Sequence, residues 1–447
     1  MTTYDFIVIG GGRAGFSALA PVAASGERTA LIDHGAIGGL CSLNGCNPKK
    51  VLVRSSEVVE ELSNAHRFGV DVAGMHAEWG RVIDRKETFT GGVTEQSEQM
   101  LREMGTDLIH GAPRFIGQDR LVVGDEEYHA RAFVIATGSI PRPLDFSGAE
   151  HVRSTDDILA LRTVPKHLVC IGAGVVAFEF AQVFARLGSR VTILARDPAL
   201  AGVEEELAAA LLDYSRELGI EVVSVESVAE VRDGGGEYAV AYLSGETSAE
   251  IVADFVLNAA GRVASLEGLD LDAADVRTDA HGVVVTPYLR SVSNGAVFAA
   301  GDAHGRMQLS PVATYEGFIV ARNYLEGDAE MADYRVIPRA IYTIPALASV
   351  GITEADARRQ GIVPTVVSSD MKEWKVVAIA GAELARAKVL IDAESDAILG
   401  AHLLGPSSAE LIHLFAMAMR FNITATQLRT MQYAYPTVAS TIPSMLG

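Results

Sequence analysis

The sequence predicts an α/β protein made of two similar units followed by a third of mixed α/β character. Three observations predict it. A buried strand, a glycine turn and a helix open the chain in "YDFIVIGGGRAGFSALAPVAASG". The same plan returns in "HLVCIGAGVVAFEFAQVFARLGSRVTILARD". From about Val336 the pattern changes to the period-two alternation of antiparallel strands, as in "VVAIAGAELARAKVLIDAESDAILGAHLLG".

In the first unit Gly10, Gly12 and Gly15 form G-x-G-x-x-G directly between strand and helix. That spacing serves a tight turn, close backbone approach to a pyrophosphate and helix–strand packing, and it aims a helix N-terminus at the anion. Asp33 ends the second strand, "RTALID", where an acid accepts a ribose hydroxyl. With strand, helix and acid all in place, dinucleotide binding is favoured over a plain α/β turn.

Gly172, Gly174 and Ala177 form the second loop. Its following strand ends Leu194-Ala195-Arg196, with no acid for the 2′-hydroxyl of NAD and an arginine beside the place. A guanidinium suits a 2′-phosphate through charge-assisted hydrogen bonds, which favours NADP over NAD. The alternative is that Arg196 is a solvated surface residue. Two Rossmann-like dinucleotide-binding domains in one chain point to an electron relay, with one tightly held flavin and one exchanging nicotinamide.

The remaining segments fill in around these units. Val51 to about Met104 is charged, with helical spacing. "LVVGDEEYHARAFVIATGS" reads as a hairpin followed by a buried strand, and "GAVFAAGDAHG" returns to strand-plus-glycine character. "SSAELIHLFAMAMRFN" reads as a helix with serine and glutamate capping its start. Domain boundaries are expected at residues 1–150 with 265–335, 151–264 and 336–447.

Bulk composition narrows the class. A chain of 447 residues is too long for one core. A net charge of −20 argues against nucleic acid and anionic membrane surfaces as partners. No run of about twenty apolar residues is present and no signal-peptide pattern precedes the first strand, so a cytoplasmic location is expected. Three cysteines are too few for a disulfide scaffold.

Two of those cysteines stand close behind the first loop, in "GGLCSLNGCNPKK". Zinc would need two further ligands, yet Cys170 lies in a core strand and no paired histidines follow. An inert structural pair is a second reading. A redox disulfide beside a flavin fits best, because two thiols on one helical turn can close a small ring and pass two electrons as a unit.

This stretch resembles G-G-x-C-x-x-x-x-C-x-P-x-K of the FAD-dependent pyridine nucleotide–disulfide oxidoreductases, which include dihydrolipoamide dehydrogenase, glutathione reductase and mercuric reductase. "VIATGS", "AAGR", "FAAGDAHG" and "QLSPVATYEG" match later signatures in order, so the resemblance spans essentially the whole chain. It implies a homodimer with a C-terminal α+β dimerisation domain, FAD on the first unit and NADPH or NADH on the second. It further implies that Gly10, Gly12, Gly15, Asp33, Gly39, Ala112, Gly138, Asp302, Leu309 and Ser310 hold FAD. Gly172, Gly174, Ala177, Arg196 and Gly261 would hold the nicotinamide dinucleotide. Cys46 would lie against the flavin and Cys41 would exchange with substrate, while Lys50 would pair with Glu179 near the flavin N5.

The sequence departs from the family at its C-terminus. Where a histidine and a glutamate of the partner subunit would form the H-P-T-x-x-E dyad, this chain has Tyr435 and Ser440. A phenol is a poor base at neutral pH, though it can donate a hydrogen bond or a proton. Mercuric reductases also carry a tyrosine there, with a C-terminal cysteine pair; this chain ends "IPSMLG". Ala20 and Phe318 occupy the places of the arginines that glutathione reductases use. The resemblance therefore implies disulfide exchange with a small or lipoyl-type substrate. A metal-ion reductase and a slow flavin-based redox sensor acting on a protein partner are the alternatives.

Overall fold

In the computed structural model, which describes residues 1–447, the first sheet is organised around β1 (Thr2–Ile9). Its Phe6–Ile9 segment is apolar and fully covered, as a strand with both faces buried requires. β1 pairs in parallel with β2 (Thr29–Asp33) on one side and with the strand Glu126–Ile135 on the other. The order of strands reverses at β1, so a crevice opens beyond its C-terminal end, where Gly10 stands. α1 (Arg13–Ala24) follows directly.

The hairpin in "LVVGDEEYHARAFVI" is formed by Arg120–Val123 and Glu126–Ile135. The sequence reading separates hairpin and buried strand. The structure joins them: the second arm runs on as one strand, exposed at Glu126 and Glu127 and buried from Ala132. The strand Val297–Ala299 returns from far along the chain to pair with Phe133–Ile135 in this same sheet.

Between these pieces lies a second, four-stranded parallel sheet of Ile220–Ser224, Arg190–Ala195, His167–Ile171 and Phe255–Asn258. The helix Val175–Arg186 covers it and places Phe178, Phe180 and Phe184 in the core. A three-stranded antiparallel sheet adjoins it. The C-terminal unit is a five-stranded antiparallel sheet, backed by the helix Ser408–Arg420 through Leu411, Ile412 and Phe415. The serine cap expected for that helix is not made. Ser407 is left-handed (φ 58°) and its hydroxyl caps nothing, since an N-cap side chain reaches the first-turn N–H groups from an extended backbone.

Two packing details set the site. α2 (Gly39–Leu43) and α3 (Cys46–Ser63) begin the helical segment that continues in Trp79–Thr90 and Val93–Glu103. The helix Ser310–Glu326 crosses α1 in backbone contact, because a Cβ at Gly317 would lie 2.4 Å from the Ala14 carbonyl oxygen. Elsewhere, a buried ionic joint links the second and third units. The Lys388 ammonium is held by Glu204 at 2.9 Å and Glu354 at 2.6 Å, and Glu204 also accepts the Glu354 N–H at 2.9 Å. No helix is long and apolar enough to cross a membrane.

Candidate redox-active site

Cys41 lies in α2 and Cys46 is the first residue of α3. They are thus not on one helical turn, as their spacing suggested. The chain breaks at Asn44–Gly45, where a Cβ on residue 45 would press to 2.8 Å from the Leu40 carbonyl oxygen. The break still brings both thiols together, and both are free in this structure. Gly39 fixes the height of α2 against the first loop. It adopts φ 71°, and a Cβ there would stand 2.5 Å from the Gly12 Cα, so glycine is required on both counts.

The two thiols are electrostatically unequal. Interaction with the neighbouring Cys46 thiol is the largest influence lowering Cys41 to about 6. Burial opposes it, while the Ser310 hydroxyl and the Arg13 guanidinium reinforce it. Cys46 is pushed upward by the same interaction and by burial. The two thiols therefore titrate as a pair whose first proton leaves well below the ordinary thiol range, and the thiolate so formed is the attacking species.

Behind Cys46, Glu179 is 2 % exposed and carries three contacts. Lys50 donates to it at 3.1 Å, Lys49 forms a closer ion pair, and the Tyr342 N–H donates at 2.7 Å. Burial pushes the Glu179 carboxyl up, but the two lysines outweigh it and the net shift is downward. Lys50 falls to about 8, chiefly through burial, with Glu179 opposing. Its ammonium also sits 3.4 Å from the centroid of the Tyr342 ring. The Lys50–Glu179 contact is as the sequence suggests; Lys49 is a partner that sequence reasoning missed. The adjacent "KK" was the available signal, since an α-helix can turn both side chains toward one buried acid.

The first glycine loop is drawn tight at two of its glycines. Gly10 takes φ 109° and a Cβ there would meet the Ala136 carbonyl oxygen at 2.3 Å, while a Cβ at Gly15 would meet the Gly10 carbonyl oxygen at 2.0 Å. Gly12 precedes α1 without any side-chain cap, leaving first-turn N–H groups for an anion. Asp33 accepts the Gly11 N–H at 2.7 Å and the Gly35 N–H at 2.8 Å, which holds its carboxylate at the crevice rim. Ala112 follows Gly111, whose N–H bonds the Asp33 carbonyl. Across the loop, Gly138 has open space around its Cα, and the Thr137 hydroxyl is buried without a partner. Asp302 accepts the Ser139 hydroxyl at 2.6 Å and keeps a second oxygen for another donor. Leu309 leads into the Ser310–Glu326 helix, whose N-terminus is also uncapped by any side chain. An orphaned hydroxyl, an acid with a spare oxygen and two uncapped helix starts around one cradle fit a dinucleotide such as FAD.

The second cradle repeats the plan. A Cβ at Gly172 would lie 2.4 Å from the Ala259 carbonyl oxygen, Gly174 precedes its helix uncapped, and Ala177 is fully buried. The Gly261 carbonyl accepts the Arg142 N–H at 2.9 Å. Arg196 is exposed and pairs with Asp197 at 3.2 Å. Tyr435 is 69 % exposed, and the Ser440 hydroxyl turns back to the Thr437 carbonyl at 2.6 Å. Within one chain these two residues form no dyad.

Two dinucleotide cradles with a thiol pair between a glycine loop and a buried lysine–glutamate cluster define a flavin-linked dithiol oxidoreductase. The model of the pyridine nucleotide-disulphide oxidoreductases matches residues 4–317 and that of the family's dimerisation domain matches residues 337–446. The chain belongs to this family: it is an FAD-dependent disulfide oxidoreductase that uses a pyridine nucleotide, and its last domain is of the dimerising kind. Dihydrolipoyl dehydrogenase of Bacillus subtilis is 31 % identical, covering 98 % of this chain and 97 % of its own. Glutathione reductase of Burkholderia cepacia is 30 % identical, covering 98 % of both. The flavoprotein disulfide reductase RclA of Escherichia coli superposes with a TM-score of 0.87 at 25 % identity, covering 99 % of each chain, and it has also been solved as a Cu(II) complex. Relatives of different substrate stand at nearly equal identity, so identity alone does not select a substrate.

Proposed function

We propose that this enzyme passes electrons between NADPH and a small or carrier-bound, lipoyl-like disulfide through Cys41 and Cys46. The observation that carries this reading is the pair of free thiols at the first glycine loop, Cys41 and Cys46, which act on each other so that one is drawn well below the ordinary thiol range. FAD, when bound, takes the electron pair from the nicotinamide and delivers it to the cysteines. Gly10, Gly12, Gly15, Asp33, Ala112 and Gly138 would hold its adenosine and diphosphate, and Asp302 its sugar chain. Leu309 and Ser310 would bring a helix N-terminus to the ring, and Lys50 with Glu179 would hold it as well.

For the substrate, Ala20 and the 53 % exposed Phe318 present no cation to a peptide carboxylate, which supports a lipoyl-like disulfide over glutathione. Arg196 supports NADPH over NADH. Tyr435 of the partner subunit would close over the pair, so the site would be complete only in a homodimer. With so few cysteines, one pair of which must cycle, we place the enzyme in the reducing cytoplasm.

Anaerobic titration of the holoenzyme with dithionite tests the reading. Four electrons per FAD are expected; uptake of two would show that the pair is not redox-active. Turnover of lipoamide, oxidised glutathione and other disulfides with each nicotinamide then sets substrate and cofactor. A second reading, reduction of a metal ion as substrate, is favoured by Tyr435 and by the Cu(II) complex of RclA. Faster turnover with Cu(II) or Hg(II) than with every disulfide would establish it. Slow turnover with all of them would favour a redox sensor.

A further inference from the structure

We propose that Tyr342, which follows the strand Arg339–Ile341 of the C-terminal unit, is the positioning residue that holds the Lys50 ammonium in place and charged against Glu179. The inference rests on the proposed place of Lys50 and Glu179 at the flavin.

Three units of the chain meet at this point. Lys50 comes from α3 of the first unit, Glu179 from the helix Val175–Arg186 of the second, and Tyr342 from the third. Tyr342 touches both members of the ion pair. Its N–H donates to Glu179 Oε1 at 2.7 Å, and the same oxygen accepts the Lys50 ammonium at 3.1 Å. The centre of its ring lies 3.4 Å from that ammonium. The backbone thus fixes the acceptor oxygen, and the π-face covers the cation seated on it. Lys49 takes the other oxygen, Glu179 Oε2, and lies over the Phe180 ring instead, 5.9 Å from its centre.

Backbone bonds set the place of Tyr342. The stretch from Tyr342 to Ile344 runs along the Val175–Arg186 helix and is bonded by side chains spaced three and four residues apart, which share one helix face. Glu179 accepts the Tyr342 N–H, Gln182 accepts the Ile344 N–H at 2.8 Å, and Arg186 donates to the Ile344 carbonyl at 2.8 Å. All three side chains are buried. Arg186 also reaches Glu60 of α3 at 2.7 Å. Any residue at 342 other than proline keeps its N–H, so the ring can be exchanged while the docking stays.

The charged and titratable groups facing Lys50 are Glu179 across the seam, and Lys49 and Cys46 on its own helix. Those facing Tyr342 are Glu179, Cys46 and Glu410 of the helix Ser408–Arg420. One buried acid is therefore shared by two lysines. Burial and Lys49 disfavour the Lys50 charge, and Glu179 favours it. The π-face adds to Glu179, because a ring quadrupole attracts the ammonium and not the neutral amine. Burial has brought Lys50 to about 8, close enough to neutrality for that addition to decide its charge.

The test is the pH dependence of Lys50 acylation by acetic anhydride in the holoenzyme, read by site-resolved peptide mass spectrometry in Tyr342→Phe and Tyr342→Met. Phenylalanine keeps the π-face; methionine keeps apolar cover without it. A cation–π contact corresponds to a midpoint change of roughly 0.4–1.5 units. The Lys50 midpoint is expected to stay in place in Tyr342→Phe and to fall by that amount in Tyr342→Met, while Lys49 keeps its own midpoint in both. An unchanged or raised Lys50 midpoint in Tyr342→Met, equal midpoints in the Phe and Met variants, or an equal fall at Lys49 would overturn the proposal. Flavin content is measured for each variant. If Tyr342→Met is isolated without FAD, Tyr342→Leu against Tyr342→Phe makes the same comparison, and equal midpoints again overturn it. Acylation needs neither substrate nor nicotinamide. A fallen Lys50 midpoint with unaltered reduction of FAD by NADPH would refute the place of Lys50 at the flavin and leave the role of Tyr342 standing.

Discussion

Replacing Glu179 by glutamine removes one buried charge and keeps the shape. The amide oxygen can still accept the Tyr342 N–H, so the backbone is left in place. What is lost is the counter-charge shared by Lys49 and Lys50. At 3.1 Å the Lys50–Glu179 attraction is about 5 kcal/mol at an effective dielectric of about 20. Lys50 keeps 31 % of its side chain in solvent, so screening reduces the effect, and a further fall of about 1–2 units is expected. From about 8, that carries Lys50 to neutrality or below. Lysine acylation followed by peptide mass spectrometry reads this directly, since only the neutral amine reacts. The midpoint for Lys50 should drop by at least one unit in Glu179→Gln, and reduction of bound FAD by NADPH at pH 7 should slow about tenfold or more, because an aligned charge is removed from the site. An unchanged Lys50 midpoint would refute the reasoning. The same shift has a stability sign. Because the folded value, about 8, lies below the ordinary 10.5, the unfolded chain binds more protons between those values, so wild-type stability rises with pH across that window.

Other outcomes follow from the same geometry. Lys388→Met should lower the melting temperature by leaving Glu204 buried and unpaired, a cost of about 3–5 kcal/mol, and adding Glu204→Leu should restore most of it; equal melting temperatures for the single and double variants would contradict this. Arg196→Ala should cut kcat/KM for NADPH about tenfold or more while leaving NADH nearly unchanged, and a wild-type preference for NADH would show that Arg196 does not meet a phosphate. Tyr435→Phe keeps the ring and removes the hydroxyl; if Tyr435 supplies a proton, disulfide turnover should fall about tenfold or more, and unchanged turnover excludes that role.

What the sequence displayed and what it hid separate along one physical line. The glycine loops, the cysteine spacing and Asp33 are local patterns, because a turn or a short helix imposes fixed intervals on the residues that build it. The Lys50–Glu179 contact was legible only through family resemblance, and Lys49 was overlooked because adjacent lysines look equivalent until a helix orients them. Ser407 had the right residue type for a cap but the wrong backbone conformation. The Lys388, Glu204 and Glu354 joint gives no sequence signal at all, as its members come from distant segments: a strand, a helix N-cap and the first residue of a short helix.

The return of Val297–Ala299 to the first sheet has a consequence for synthesis. The strand Glu126–Ile135 emerges from the ribosome long before the segment that pairs with Phe133–Ile135. During that interval the parallel sheet of residues 167–258 has everything it needs to form, whereas the sheet begun at residue 2 still lacks the partner of Phe133–Ile135. Until Val297–Ala299 arrives, the unpaired stretch at Phe133–Ile135 is the edge on which a stalled or truncated product would be expected to aggregate.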